Sequence, residues 1–352
     1  MLKREWRRFW GMNKLIIDAS NALNRSLADE NEEAFFEEAS YKAVKFDKRN
    51  FHAIKERQSN VKIGFIDGGN IEILKSGNFS FNFIRLFWTI YQGRKRIDAE
   101  RVEFYVLVRA VNKDDRIYYE TEIIAGQEWL KELNMKFYSY DASLKQGFHR
   151  ADISFVVYII RRFGDLIMAY RACEKLSSGI IVLDGDLEAS YPREEEFLER
   201  LYSYANKGII ISAVSKTSTL LSSSGNSFSA ILNRKEGKWY YYPVAEISSG
   251  MHKAKILFAR LNEKSGYVFK IEIYKEQEDK INELIGALSE NAKDAIFLGY
   301  PYGLVEAHKF AKIDIKEKDF HKIQLMARLG SKWRDVERYA RAVDGHSVLD
   351  RV

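Results

Sequence analysis

Cysteine, proline and long apolar segments are all scarce in this sequence. The single cysteine, Cys173, excludes a disulfide scaffold and a zinc site built from cysteines. The longest apolar run, 153–160, contains a serine and is shorter than the roughly 18–20 residues needed to cross a membrane. Near the start, the apolar residues 15–17 are too few for the core of a signal peptide. We therefore expect a soluble, cytoplasmic protein with no membrane partner.

Positive and negative charges nearly balance in this sequence, and apolar residues are plentiful. The chain has 352 residues, of which 46% are hydrophobic and 14% aromatic, so disorder is excluded as its main state. This length allows two domains or one elaborated domain. The 56 Lys+Arg exceed the 50 Asp+Glu by six. This small excess mildly favours an anionic partner such as DNA.

The first 60 residues are expected to form a helical extension in front of the main domain, which spans 61–352. Trp6, Phe9 and Trp10 have the i, i+3, i+4 spacing of one helix face, with arginines beside them. This helix is either a docking element for a partner protein or DNA, or a helix that packs on its own domain. Residues 29–58 lack proline and glycine, which predicts one long helix or two shorter ones.

The main domain has the pattern of a mixed α/β fold. Short apolar runs predict antiparallel strands in meander order at 61–70, 71–77, 81–93 and 101–111. A long buried helix and then a parallel β-α-β unit are predicted at 151–176, 179–187, 192–208 and 209–214. The last third is predicted to be helical beyond further strands at 239–247, 253–261, 267–274 and 295–303. This layout resembles a ribonuclease-H-like mixed sheet core with C-terminal additions.

Three acidic residues could meet at one edge of that sheet. Asp67 and Asp184 each end an apolar strand and share a face with its core residues. Asp165 and Glu174 are nine residues apart on the long helix, so their side chains lie on opposite faces. Asp165 is in the more apolar half of the helix. Clustered carboxylates repel one another unless a cation such as Mg²⁺ or Mn²⁺ neutralises them. The alternative is that Asp67 and Asp184, each followed by glycine, only cap turns.

Four other side chains could assist such a site. His308 follows a predicted strand, in the first turns of a helix, where a structural role is the alternative. Lys216, in the loop after strand 209–214, could hold a phosphate or could simply be solvated. Tyr300 and Tyr302 could stack on bases, with packing in the core as the alternative.

Between residue 61 and about residue 315, five segments in this order resemble the NurA nucleases. These segments are FIDGGN (65–70), RRFGD (161–165), VLDGDL (182–187), VSKTS (214–218) and GYPYGLVEAHKFAKI (299–313). Members of this family are archaeal and bacterial enzymes that process DNA ends with the hexameric translocase HerA. The resemblance implies a ribonuclease-H-like core, a toroidal homodimer and DNA cleavage that depends on Mn²⁺ or Mg²⁺.

The resemblance also implies roles for particular residues. The positions that match the family's site are Asp67, Asp165, Asp184, Lys216, Tyr300, Tyr302 and His308. The three aspartates would hold two metal ions, and His308 would be a further ligand or lie near the scissile phosphate. Lys216 would stabilise charge on the phosphate. The family usually has glutamate on the helix, so Asp165 departs from the pattern and Glu174 is the alternative ligand.

The expected function is therefore metal-dependent DNA cleavage during end resection. The protein would act as a single-strand endonuclease and a 5′–3′ exonuclease, together with a HerA-type hexamer near the nucleoid. One alternative is a different ribonuclease-H-like nuclease. The other is a scaffold without catalysis that clamps DNA for the translocase, which the aspartate at position 165 keeps open.

Overall fold

An 11-stranded mixed sheet dominates the computed structural model, which describes residues 14–24, 32–55, 60–145 and 147–341. The strands are β1 (Tyr41–Ala43), β2 (Phe51–Ala53), β3 (Lys62–Lys75), β4 (Phe79–Gln92), β5 (Lys95–Lys113), β6 (Arg116–Ile124), β7 (Lys136–Tyr138), β8 (Gly179–Asp184), β9 (Ile209–Ser215), β10 (Trp239–Tyr241), β11 (Ala245–Ile247), β12 (Ala254–Arg260) and β13 (Phe269–Tyr274). The large sheet has the order β2-β10-β12-β13-β9-β8-β3-β4-β5-β6-β7, and β1 pairs with β11 in a separate sheet.

Helices pack on both faces of the large sheet. The α-helices are α1 (14–24), α2 (Phe155–Glu174), α3 (Glu194–Tyr202), α4 (Phe228–Leu232), α5 (Ile281–Asn291), α6 (Tyr302–Ala311), α7 (Ile315–Leu329) and α8 (Trp333–Arg341). Short 3₁₀ helices lie at Lys48–Asn50, Glu128–Leu133, Ser203–Lys207, Lys275–Lys280 and Gly330–Lys332. Among the described residues, no helix is both long enough and apolar enough to span a bilayer.

The central strands confirm the predicted ribonuclease-H-like fold. β3, β4 and β5 form an antiparallel meander, β8 pairs with β3 in parallel, and β9 pairs with β8 in parallel. β8 and β9 are almost entirely buried, which explains why their sequences are continuously apolar rather than alternating. Parallel strands need a crossover connection, and α3 lies in the segment that provides it.

Two apolar cores lie on opposite faces of this sheet. On one face, α2 packs against β3 and β4 and buries Phe163 in a cluster that includes Ile66 and Leu86. On the other face, α6 packs on β3 and β4 and buries Leu304 in a cluster that includes Phe65. Because successive side chains of a strand point to opposite faces, neighbouring residues of β3 belong to different cores.

The prediction that an apolar strand ends at Asp67 is wrong. β3 continues without a break through Gly68 and Gly69 to Lys75, so Asp67 lies in the middle of a 14-residue strand. The two glycines allow close packing instead. A Cβ atom at Gly68 would lie within 3.0 Å of the Asp165 carboxylate, and one at Gly69 within 3.0 Å of the Ala311 carbonyl oxygen. The missing side chains thus let α2 and the end of α6 approach β3 from opposite faces.

Two further secondary-structure predictions are wrong. Residues 32–55 hold the strands β1 and β2, which pair with β11 and β10, so tertiary pairing overrides the helical propensity of this segment. Residues 295–303 do not form a strand, because Gly299 adopts a left-handed φ of +93° and α6 begins directly after Pro301. The predicted helix with Trp6, Phe9 and Trp10 lies outside the described residues. The domain division at residue 60 stays a prediction.

Gly303→Ala is expected to lower the free energy of unfolding by about 2 kcal/mol, since it overpacks the core between α6 and β3. A Cβ atom at Gly303 would lie within 3.0 Å of the ring of Phe65, which is completely buried. The matched control is Gly286→Ala in α5, where the nearest atom would be 3.8 Å from the new Cβ. Urea unfolding should show the control unchanged or more stable, since alanine favours helices. Equal stability of the two variants would contradict the close packing of α6.

Candidate active site

Asp67 and Asp184 lie side by side at the centre of the sheet. The parallel register pairs Ile66 with Leu183, so the next residue of each strand is one of the two aspartates. Phe65 and Val182, two residues earlier on these strands, belong to the core under α6, so both carboxylates point to that face. β8 ends at Asp184, and Gly185 leaves the strand with a φ of +125°. The two carboxylates therefore meet where neighbouring parallel strands diverge.

α6 brings His308 to this pair of carboxylates. Its Nδ1 atom lies 2.9 Å from Asp67 Oδ2, and its side chain is 55% exposed. The sequence predicted His308 in the first turns of a helix, whereas the structure places it in the last turn. The approach depends on Gly69, because the end of α6 packs directly on its backbone.

Lys216 directly follows β9 and reaches the same point. Its Nζ atom contacts Asp184 Oδ2 and lies 3.6 Å from Asp67 Oδ2. It also lies 3.2 Å from His308 Nδ1. The ammonium group is thus surrounded by two carboxylates and an imidazole.

Tyr300 and Tyr302 take different positions. Tyr300 is completely buried, so its ring is not available to stack on a base, which corrects that expectation. Its hydroxyl donates instead to Asp184 Oδ1 at 3.2 Å. Tyr302 is partly exposed and packs edge-on against Tyr91, with ring centroids 6.0 Å apart.

Asp165 approaches β3 from the opposite face. It is 3% exposed, as the sequence predicted for the inward side of the helix, while Glu174 is exposed and interacts with Tyr204. The Arg161 guanidinium donates to Asp165 Oδ2 at 2.9 Å and to the Gly68 carbonyl oxygen at 3.0 Å. Asp165 Oδ1 is buried and has no hydrogen-bond partner in the part of the chain that the structure describes. Asp165 therefore lies next to β3, on the face of the sheet opposite to the one that the Asp67 carboxylate faces.

The environment shifts the pKa values of all three aspartates. Burial acts to raise the pKa of Asp67, but the hydrogen bond with His308 and the charge of Lys216 outweigh it and hold that pKa below its usual range. Burial and the neighbouring Asp67 charge raise the pKa of Asp184. Burial also raises the pKa of Asp165 to about 7, although the charge of Arg161 opposes this. Such divergence is expected of acids that share a site.

The donor set fits a divalent metal ion. One donor atom each from Asp67, Asp184 and His308 can be chosen so that all lie within 4.8 Å of one another. Carboxylates suit Mg²⁺ and Mn²⁺, and an imidazole favours a transition metal such as Mn²⁺ over Mg²⁺. Asp165 does not belong to this set, but its Oδ1 atom is a third anionic donor nearby. Buried polar atoms are normally satisfied, so a water molecule or an ion is expected beside this oxygen.

Arg161 is the site residue that sequence reasoning missed. It precedes Asp165 by four residues on the same helix, which is the spacing of helical ion pairs. The signal was therefore present in the RRFGD segment. Its bond to the Gly68 carbonyl depends on tertiary packing and is not visible in the sequence.

Comparison with known proteins assigns this chain to a family. A family model described as the NurA domain matches residues 61–313, which is more than half of the chain. The chain belongs to the NurA family. The match includes every one of the candidate site residues described above. A search among curated proteins finds no match.

One solved structure agrees with the fold of a NurA domain. The crystal structure of the NurA nuclease from Sulfolobus solfataricus matches with a TM-score of 0.51 at 12% identity, covering 94% of this chain and 98% of that one. The catalytic domain of human Endonuclease V has a TM-score of 0.34 at 10% identity, covering 90% and 98%. Endonuclease V from Ciona intestinalis, in complex with inosine-containing DNA, has a TM-score of 0.37 at 9% identity, covering 76% and 92%.

Proposed function

We propose that this NurA-family protein is a metal-dependent nuclease that cleaves DNA phosphodiester bonds. One observation carries the proposal: Asp67, Asp184 and His308 converge as a metal-ligand set at the point where two parallel strands diverge. A Mn²⁺ or Mg²⁺ ion held there would activate water and stabilise charge on the phosphate. The small basic excess of the chain is compatible with a DNA partner.

The surrounding residues support this chemistry by holding and orienting the ligands. Tyr300 fixes the rotamer of Asp184 through its hydrogen bond, so that the other carboxylate oxygen faces the ligand set. His308 orients Asp67 and is exposed enough to meet substrate. Lys216 carries the positive charge that is best placed to bind a phosphate oxygen during cleavage.

Asp165 is proposed as the ligand of a second ion. Its Oδ2 is held by Arg161, so Oδ1, which has no hydrogen-bond partner among the described residues, would be the donor to that ion. Two ions can stabilise both the attacking and the leaving oxygen of an in-line displacement. The lack of a side chain at Gly68 lets the Asp165 carboxylate approach the strand closely, which supports a role for the shorter aspartate arm.

The biological setting is proposed from family membership. We infer a homodimer that processes DNA ends together with a HerA-type ATPase hexamer during end resection in recombination and repair, in the cytoplasm near the nucleoid. The activities proposed are single-strand endonuclease and 5′–3′ exonuclease. The similar protein from Sulfolobus solfataricus is a NurA nuclease, which supports the reaction class.

The test is cleavage of single-stranded DNA labelled at either its 5′ or its 3′ end, with Mn²⁺, with Mg²⁺ or with EDTA. We expect cleavage with Mn²⁺, less with Mg²⁺ and none with EDTA. Short products released first from the 5′-labelled end would support 5′–3′ polarity, and internal fragments would support endonuclease activity. DNA binding without cleavage under any condition, also with a HerA-type partner present, would favour the scaffold. Preference for RNA would favour another ribonuclease-H-like nuclease.

Tyr300→Phe is expected to lower the rate of Mn²⁺-dependent cleavage about tenfold, because Asp184 loses the bond that orients it. The ring stays, so the core should remain packed. Tyr240→Phe is the control: it removes another tyrosine hydroxyl, which donates to Asn282 on α5. Equal rates for the two variants, measured at saturating Mn²⁺, would show that Tyr300 has no role in positioning Asp184.

A further inference from the structure

The ammonium group of Lys216 lies between Asp67, Asp184 and His308, the three ligands of the first proposed ion. It contacts Asp184 and lies 3.6 Å from Asp67 Oδ2 and 3.2 Å from His308 Nδ1. We infer that Lys216 is a tethered cation that fills the ligand set in the metal-free protein and is displaced when the metal ion binds. This inference rests on the proposed function and adds a regulatory step to the same site.

Burial explains why a built-in cation is needed. Asp67 is 5% exposed and the side chain of Asp184 is 16% exposed, and two neighbouring carboxylates out of water require a counter-charge. A lysine supplies a compact charge on a flexible stem. Its side chain is 32% exposed, so the amine can leave the cluster by rotating towards solvent without passing through the core.

The position of His308 indicates that a metal ion can replace the Lys216 ammonium group. Its Nδ1 atom lies within hydrogen-bond distance of both Asp67 Oδ2 and Lys216 Nζ. One ring nitrogen can donate to the carboxylate or accept from the ammonium, but it cannot do both. A metal ion in place of the ammonium would let His308 act as an acceptor towards a cation without that competition.

Displacement couples metal binding to substrate binding. A divalent ion and an ammonium group a few ångströms apart repel each other strongly, so they cannot share the ligand set. The displaced amine stays tethered to the residue after β9, at the exposed side of the cluster, where it would be available to a DNA phosphate. Metal binding therefore releases the lysine charge for the phosphate.

Removing the tethered cation should strengthen metal binding. We expect full-length Lys216→Met to bind Mn²⁺ about tenfold more tightly than the wild type in calorimetric titrations after removal of metal with EDTA, within the range of typical coupling effects. Lys309→Met is the matched control, since Lys309 is exposed and follows His308 on α6. It removes a charge beside the site but not between its ligands, so its Mn²⁺ affinity should change less than about twofold.

A second measurement uses the wild-type protein and does not depend on a variant. Brief acetylation followed by mass spectrometry should modify Lys216 several-fold faster with Mn²⁺ than with EDTA, while Lys309 serves as the internal reference. Unchanged Lys216 labelling, or Mn²⁺ binding by Lys216→Met that is equal to or weaker than that of the wild type, would overturn the inference alone. Failure of the wild type to bind Mn²⁺ would overturn the proposed function and the inference with it.

Discussion

Asp67→Asn is expected to lower Mn²⁺-dependent cleavage of single-stranded DNA about 1,000-fold, as is usual when a central group of a catalytic site is removed. The amide keeps the size of the side chain and can still accept the hydrogen bond from the Gly68 amide. It lacks the negative charge that makes Asp67 a metal ligand and a partner of His308 and Lys216. The measurement is the single-turnover rate at saturating Mn²⁺, with the melting temperature as a check on folding.

The control for this variant is Asp186→Asn. Asp186 follows the same strand as Asp184, but its carboxylate lies 3.8 Å from Arg162 and is 44% exposed. Its rate should stay within about threefold of the wild type, because this carboxylate does not belong to the ligand set. Cleavage retained by Asp67→Asn would mean that the aspartate has only a structural role and that the catalytic centre lies elsewhere.

Asp165→Asn is expected to raise the free energy of unfolding by roughly 3 kcal/mol at pH 8 in the presence of EDTA. Burial raises the pKa of Asp165 to about 7 in the folded protein, against an ordinary value of about 4. Between these values the folded state binds a proton that the unfolded state has lost. Wild-type stability from this group is therefore fully present below pH 4 and is lost as the pH rises to 7. The Asp165→Asn variant does not lose this stability as the pH rises, although its Arg161 has no ionic partner at position 165.

Urea unfolding at several pH values between 4 and 8 measures this difference. The two proteins should converge near pH 4 and diverge towards pH 8, and saturating Mn²⁺ should reduce the difference if Asp165 contacts an ion. Glu174→Gln is the control on the same helix, where the carboxylate is exposed and its loss should change stability little at any pH. A constant difference between Asp165→Asn and wild type across this range would contradict the burial of an ionisable carboxyl group.

Regular patterns made most of the central fold predictable. The segment that became α2 is apolar on nearly all sides, and the structure buries it between the sheet and α3, where Phe163 stacks on Phe197. The apolar runs of β8 and β9, with a charged helical segment between them, are typical of parallel strands. These patterns are local, so they can be recognised without knowing the neighbours in space.

The role of Gly68 and Gly69 could not be predicted, because it depends on their neighbours in space. The Asp-Gly-Gly segment after Ile66 is a turn signal in most sequences, yet here it continues β3. Glycine is required at positions 68 and 69 because a Cβ atom there would clash with Asp165 and with Ala311. A sequence shows that a side chain is missing, but it does not show whether the space is used for a turn or for a neighbouring element.

The sequence by itself determined the ribonuclease-H-like core, the family and the candidate site residues, because hydrophobic periodicity and short motifs are written along the chain. Tertiary structure alone decided how those residues divide between the two faces of β3. Alternation in the strand directs Asp67 towards His308 and Lys216, while the helix on the other face brings Asp165 and Arg161 to Gly68. These distances depend on the packing of segments more than 90 residues apart, which local sequence cannot encode.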